Sequence, residues 1–136
     1  MFHKLLSVKA ERNMTAIAGI GMGAMPTAVA RILDDLKDRG GLRGADIANI
    51  MNVSPPTVSR WSSGKGMPSL HTQTVIADLR YVVDRLSDFY QPDETRLWLH
   101  APHPLLNQER AIDLIIDGRT EEVLAVIERL EAGAYL

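Results

Sequence analysis

Residues 45–64, ADIANIMNVSPPTVSRWSSG, read as two short helices joined by a tight turn. Ile47, Ala48 and Met51 form the inner stripe of the first, and Val58 and Trp61, three apart, form the stripe of the second. Val53 fills the corner between them. A small residue at Ala48 lets the second helix cross closely, and Asn52 stands where the turn calls for a left-handed backbone, which Asn tolerates better than most residues. Ser54 reads as an N-cap, Pro55 as a first helical residue with its φ already set, and Gly64 as a C-terminal stop. Together these features define a helix-turn-helix.

Working outward on the N-terminal side, Thr27 caps a helix running to about Arg39, with Val29, Ile32, Leu33 and Leu36 inward and Gly40 as its stop. Residues 1–26 lack clear periodicity and include Gly19, Gly21 and Gly23, so they are expected to form a flexible arm. The Gly-x-Gly spacing is no dinucleotide fingerprint, because no strand precedes it and Met25-Pro26 interrupts any helix that follows. Ala28-Val29-Ala30 imitates a signal-peptide cleavage site, but the glycine-rich centre and Glu11 argue against a secretory leader.

On the C-terminal side, residues 70–90 carry a long amphipathic helix. Its stripe is Val75, Leu79, Val82, Leu86 and Phe89, with Ile76, Val83 and Tyr90 beside it. That stripe is wider than one partner helix needs, which favours a central helix packed on both sides over a coiled-coil seam. Three shorter helices are expected after Gln91-Pro92. The first holds Leu97, Trp98 and Leu99; the second, capped by Asn107, buries Ala111, Leu114 and Ile115; the third, capped by Thr120, buries Val123, Ile127 and Leu130 and stops at Gly133. The expected fold is therefore all-α. A helix-turn-helix bundle (27–69) is joined by a linking helix (70–91) to a small three-helix unit (92–136).

The 136 residues include no cysteine, so disulfides and thiolate metal sites are excluded and a reducing, cytoplasmic setting is expected. No apolar run is long enough to span a bilayer, so no membrane partner is expected. A net charge of -2 conceals an asymmetry: residues 1–70 carry nine Lys or Arg against five Asp or Glu, and the remainder six against twelve. The basic half contains the helix-turn-helix, which favours a nucleic-acid partner there. Once Val58 and Trp61 are buried, the second helix presents Pro55, Pro56, Ser59, Arg60 and Ser63 outward, with Ser54 at its start and Thr57 at its edge. Arg60 suits a guanine edge or a phosphate, and Arg43, Lys65 and Lys37 suit phosphates. Neither Pro55 nor Pro56 has a backbone N–H, so this helix start offers fewer donors to DNA than usual. Affinity is accordingly expected from two copies on repeated half-sites of operator DNA.

Catalytic readings fail. His100-x-x-His103 is flanked by proline with no helical ligand spacing, and no serine has a histidine or acid at a spacing that would activate it. Neither metal, cofactor nor enzymatic activity is expected.

The order Trp98-Leu99, Pro102-x-Pro104, Leu105-Leu106, Leu114-Ile115, Asp117-Gly118, Val123, Ile127 and Gly133, with a short apolar end, resembles the toxin-binding domain of Xre/MbcA/ParS-type antitoxins. These pair that domain with an Xre-like helix-turn-helix, so the resemblance covers residues 27–136. Asn107 and Ala111 depart from it, standing where the family often has Gly and Pro. The resemblance implies a RES-domain, NAD-consuming toxin encoded beside the gene, which the antitoxin inhibits, and autorepression of the operon by a homodimer within a larger hetero-oligomer. It places Gly133, Ala134, Tyr135 and Leu136 in the toxin's cleft, with Trp98, Leu99 and Arg110 as lesser contacts. On the residues alone, core packing suits Trp98 better and a surface ion pair suits Arg110. The alternative is a plain dimeric helix-turn-helix repressor whose C-terminal helices only dimerise it. A third reading makes the helix-turn-helix a vestigial scaffold.

Overall fold

The computed structural model describes residues 27–133; the expected N-terminal arm lies outside them, as do Ala134, Tyr135 and Leu136. Helix α1 (Ala28–Gly40) starts where the Thr27 hydroxyl accepts the Ala30 N–H at 3.0 Å. It ends one residue later than the expected stop, with Gly41 as the left-handed cap at φ 63°. A Cβ on Gly41 would lie 2.8 Å from the Pro92 carbonyl oxygen, so glycine is required both for the turn and for the close approach of the next unit.

Helices α2 (Gly44–Met51) and α3 (Pro55–Ser62) form the helix-turn-helix. Asn52 takes the left-handed conformation at φ 56°, and the Val53 N–H donates to the Ala48 carbonyl at 2.9 Å. Ser54 caps α3 by accepting the Thr57 N–H, and Ile47, Ala48, Val58 and Trp61 are buried, as their spacing requires. Met51 and Val53 are only partly buried against that core.

The long helix α4 (Leu70–Leu86) is shorter than the expected 70–90. The chain turns after Leu86, which leaves Phe89 36% exposed while Tyr90 packs against the core. Its inner face, Val75, Ile76, Leu79, Val82, Val83 and Leu86, is almost wholly buried and meets α1 on one side and the C-terminal helices on the other. The stripe is thus internal to one chain and no coiled-coil seam. Each such side chain contributes about 1.5–3 kcal/mol on burial.

Helix α5 (Pro92–His100) begins at a proline, with Glu94 accepting the Gln91 N–H. The segment after it departs from the all-helical expectation by one small feature. Strands β1 (Pro102–His103) and β2 (Glu109–Arg110) pair antiparallel around a 3-10 turn (Pro104–Leu106). Asn107 caps no α-helix; it ends the 3-10 turn at φ 55°, which is why a Gly-preferring position accepts Asn. Helix α6 (Ala111–Ile116) therefore starts at Ala111, a first-turn position that also suits the family's Pro. Helix α7 (Thr120–Gly133) closes the fold. Thr120 is its first residue rather than its cap, and the hydroxyl donates to Asp78 of α4 at 3.0 Å. Val126 is buried where Leu130 was expected. One continuous hydrophobic core runs from Val29 to Ile127 through α4. Among the described residues no helix is long and apolar enough to cross a membrane.

Candidate functional site

Two surfaces hold the candidate residues, one on each half of the chain and both on one rigid frame. On the first, α3 turns Pro55, Pro56, Ser59, Arg60 and Ser63 outward, as the burial of Val58 and Trp61 dictates. Not all of these are free to bind. The Ser54 hydroxyl is shared between the Thr57 N–H and the Thr57 hydroxyl, 2.8 Å away, and Ser63 donates to its own helix at Ser59 and Arg60. Both are structural caps. Arg60 Nε lies 3.4 Å from the Lys65 carbonyl, which leaves its terminal nitrogens to face solvent beside Ser59. Lys65 follows immediately, after the left-handed turn at Gly64.

The charges sort in a way that residue counting only hints at. In the acidic half, Arg80, Arg85, Arg96, Arg110 and Arg119 each hold a carboxylate, and among the described residues only Arg129 lacks one. In the basic half only Arg39 is paired, with Asp84 at 2.8 Å. Arg31, Lys37, Arg43, Arg60 and Lys65 face no described carboxylate within ion-pair distance. Lys37 and Arg43 also share a groove of about 640 Å³ with Ser62 of α3, so cations from α1 and the start of α2 converge on the flank of the exposed helix. An arrangement of unpaired cations around a helix with short polar side chains is suited to a polyanion.

The second surface lies on the C-terminal unit. Leu99 is 0% exposed and cannot touch a partner; it belongs to the core, which corrects its place among the contact candidates. Trp98 is half-buried, its ring centroid 4.3 Å from that of His103, whose Nε2 is 2.7 Å from the Trp98 carbonyl oxygen. His100 Nδ1 lies 2.8 Å from the Arg96 carbonyl oxygen, so each histidine bonds a local carbonyl. Arg110 is exposed and forks onto Asp113 with two bonds of 2.8 Å, the surface ion pair expected of it. That guanidinium holds the Asp113 carboxyl below its ordinary range. Gly133 ends α7 on the surface.

The residues most open to a partner here are Leu97 and Leu105, neither of them among the contacts expected from the sequence. Leu97 is 65% and Leu105 58% exposed. Leu105 borders a cleft of about 360 Å³ with Asn107, Val126 and Arg129, between the 3-10 turn and α7. Their signal was an apolar residue beside the buried one in Leu97-Trp98-Leu99 and Leu105-Leu106, where only one of each set can face inward.

The two surfaces are bolted together. Arg96 of α5 reaches Asp46 of α2 at 2.9 Å, while the same carboxylate accepts the Arg43 N–H at 3.0 Å.

The model of the antitoxin Xre/MbcA/ParS C-terminal toxin-binding domain matches residues 88–133. The mycobacterial cidal antitoxin MbcA of Mycobacterium tuberculosis is 30% identical over 99 residues, covering 73% of this chain and 88% of that protein. A probable mycobacterial cidal antitoxin of the same organism is 35% identical over 107 residues, 79% of this chain and 90% of its own. Among solved structures, a chain in the crystal structure of the M. tuberculosis MbcT–MbcA toxin–antitoxin complex superposes with a TM-score of 0.69 at 28% identity. It covers 81% of this chain and 99% of its own length.

Proposed function

Since the chain belongs to the Xre/MbcA/ParS antitoxin family, we propose that it binds and inhibits a RES-domain, NAD-consuming toxin through its C-terminal unit and represses its own operon through the helix-turn-helix. The toxin is encoded by the neighbouring gene, and the chain itself catalyses nothing and needs no cofactor. The observation that carries this is the joint likeness of both halves to a chain from a toxin–antitoxin complex, over nearly all of that chain's length. What supports the DNA role is the set of unpaired cations around α3, with Arg60 and Ser59 toward base edges and Arg43, Lys65 and Lys37 toward phosphates. On the toxin side, Gly133, Ala134, Tyr135 and Leu136 enter the toxin's cleft, where Tyr and Leu side chains contribute about 1.5–3 kcal/mol each if fully buried. Exposed Leu97 and Leu105 flank that contact. A homodimer within the larger cytoplasmic assembly supplies two half-site contacts.

The test is a pull-down from the native host with a tag at the N-terminus, so that Leu136 stays free. Capture of a neighbouring-gene enzyme whose NAD consumption stops in the complex is the expected result. Capture of the chain alone on DNA overturns the inhibitor role and leaves the plain repressor.

A further inference from the structure

The outward face of α4 carries a second stripe, opposite the core. Leu70 is 82% and Tyr81 52% exposed, and Thr74 and Ala77 between them are exposed as well. At 100° per residue these four side chains fall within one narrow arc. Their spacings, four, three and four, are the same read from either end. A two-fold axis between Thr74 and Ala77 therefore sets Leu70 against the Tyr81 of a second copy, and Thr74 against its Ala77. The large residues meet at the two ends and the small ones at the crossing, which allows the axes to approach closely.

The charges on this helix point the same way. Arg80 bonds Asp35 at 2.9 Å, Asp84 bonds Arg39 at 2.8 Å, Arg85 bonds Glu131, and Asp78 accepts the Thr120 hydroxyl. Each is held by α1 or α7 of the same chain, and the guanidinium of Arg85 also lies over the Tyr81 ring at 5.8 Å. The stripe is thus bordered by neutralised pairs, and two copies meet on it without placing an unpaired like charge in the contact.

We propose that this face is the contact between two copies of the chain, an antiparallel, two-fold pairing of α4 with α4 in the Leu70-to-Tyr81 register. It gives the dimer of the proposed function its surface, and it is tested on the purified full chain alone, so failure of the toxin or DNA assignments does not affect the outcome. One helix pair buries less than the roughly 800 Å² per partner of a standard interface. Association is therefore concentration-dependent and is read by sedimentation over a range reaching tens of micromolar.

The chain has no cysteine, so introduced ones report cleanly. The mixed variants Leu70→Cys and Tyr81→Cys are expected to form an inter-chain disulfide on oxidation, as are Thr74→Cys and Ala77→Cys. Leu70→Cys alone is not, because its two copies stand about 16 Å apart along the paired helices, beyond disulfide reach. Ala77→Glu, on an exposed helical position, is expected to raise the dimer dissociation constant at least tenfold with an unchanged circular dichroism spectrum. Ala28→Glu, exposed on α1, is the control. A chain that stays monomeric throughout the range overturns the proposal, as does a dimer indifferent to Ala77→Glu or a Leu70-to-Leu70 cross-link.

Discussion

Asp46 and Arg96, fifty residues apart, join the helix-turn-helix to the C-terminal unit through one carboxylate that also caps α2. The guanidinium of Arg96 is the main reason the Asp46 carboxyl sits below its ordinary value of 3.8. A carboxyl lowered in the folded state adds stability at neutral pH, fully present above 3.8 and lost as pH falls through the folded value. In urea titrations Asp46→Asn should lower the midpoint at pH 7, and the gap to the parent chain should narrow below pH 3.8. Asp46→Ala, which also removes the cap, is expected to cost about 0.5–2 kcal/mol. Arg96→Ala is expected to cost under about 1 kcal/mol, because its side chain is 44% exposed.

Arg60→Ala should weaken binding to upstream DNA with no change in melting temperature, since the side chain is exposed and holds no carboxylate. A base contact predicts a loss of about 1–3 kcal/mol that differs between operator sequences. Lys65→Ala should instead weaken binding to all sequences alike and reduce the slope of log K against log salt by about one. Fluorescence anisotropy at several salt concentrations separates the two.

Leu99→Ala and Leu97→Ala form an instructive pair of neighbours. Leu99 is wholly buried, so its truncation should cost about 2–5 kcal/mol in chemical unfolding. Leu97 faces solvent, and its truncation should change stability by less than about 0.5 kcal/mol while weakening capture of the toxin.

Removing residues 133–136 should abolish neutralisation of the toxin in co-expression and leave DNA binding unchanged. The plain-repressor reading predicts little change in either.

At Asn107, φ is 55°, and glycine is the only residue without a Cβ to clash there. Asn107→Gly should therefore be neutral or slightly stabilising in thermal melts. Asn107→Val should lower stability by about 1–2 kcal/mol.

The helix-turn-helix was legible because several local rules agree within it: the cap at Ser54, the proline at first position, the left-handed Asn52, and the spacing of Val58 and Trp61. The hairpin of β1 and β2 was not, since two-residue strands have no periodicity and Glu109-Arg110 carries no strand propensity. Thr120 looked like a cap because caps are local, whereas its true partner, Asp78, is forty-two residues away. Leu97, Trp98 and Leu99 could be assigned to a helix but not to its faces, because three consecutive apolar residues leave the direction of the core undetermined. The charge asymmetry was visible as a count; that it persists as unpaired cations only on one half depends on tertiary pairing.

The inner face of α4 is shared, one hydrophobic core lying against both the DNA-reading helices and the C-terminal ones. Neither half can therefore be inherited apart from the other: a crossover between diverged relatives near Ser69 would set one lineage's α4 against another's α1, and the mismatch in side-chain volume would fall on both functions at once. Changes along Val75, Leu79 and Val83 are expected to be answered by compensating changes at Leu33, Leu36, Leu114 and Ile127. The two binding roles must then drift together over generations, even where their partners do not.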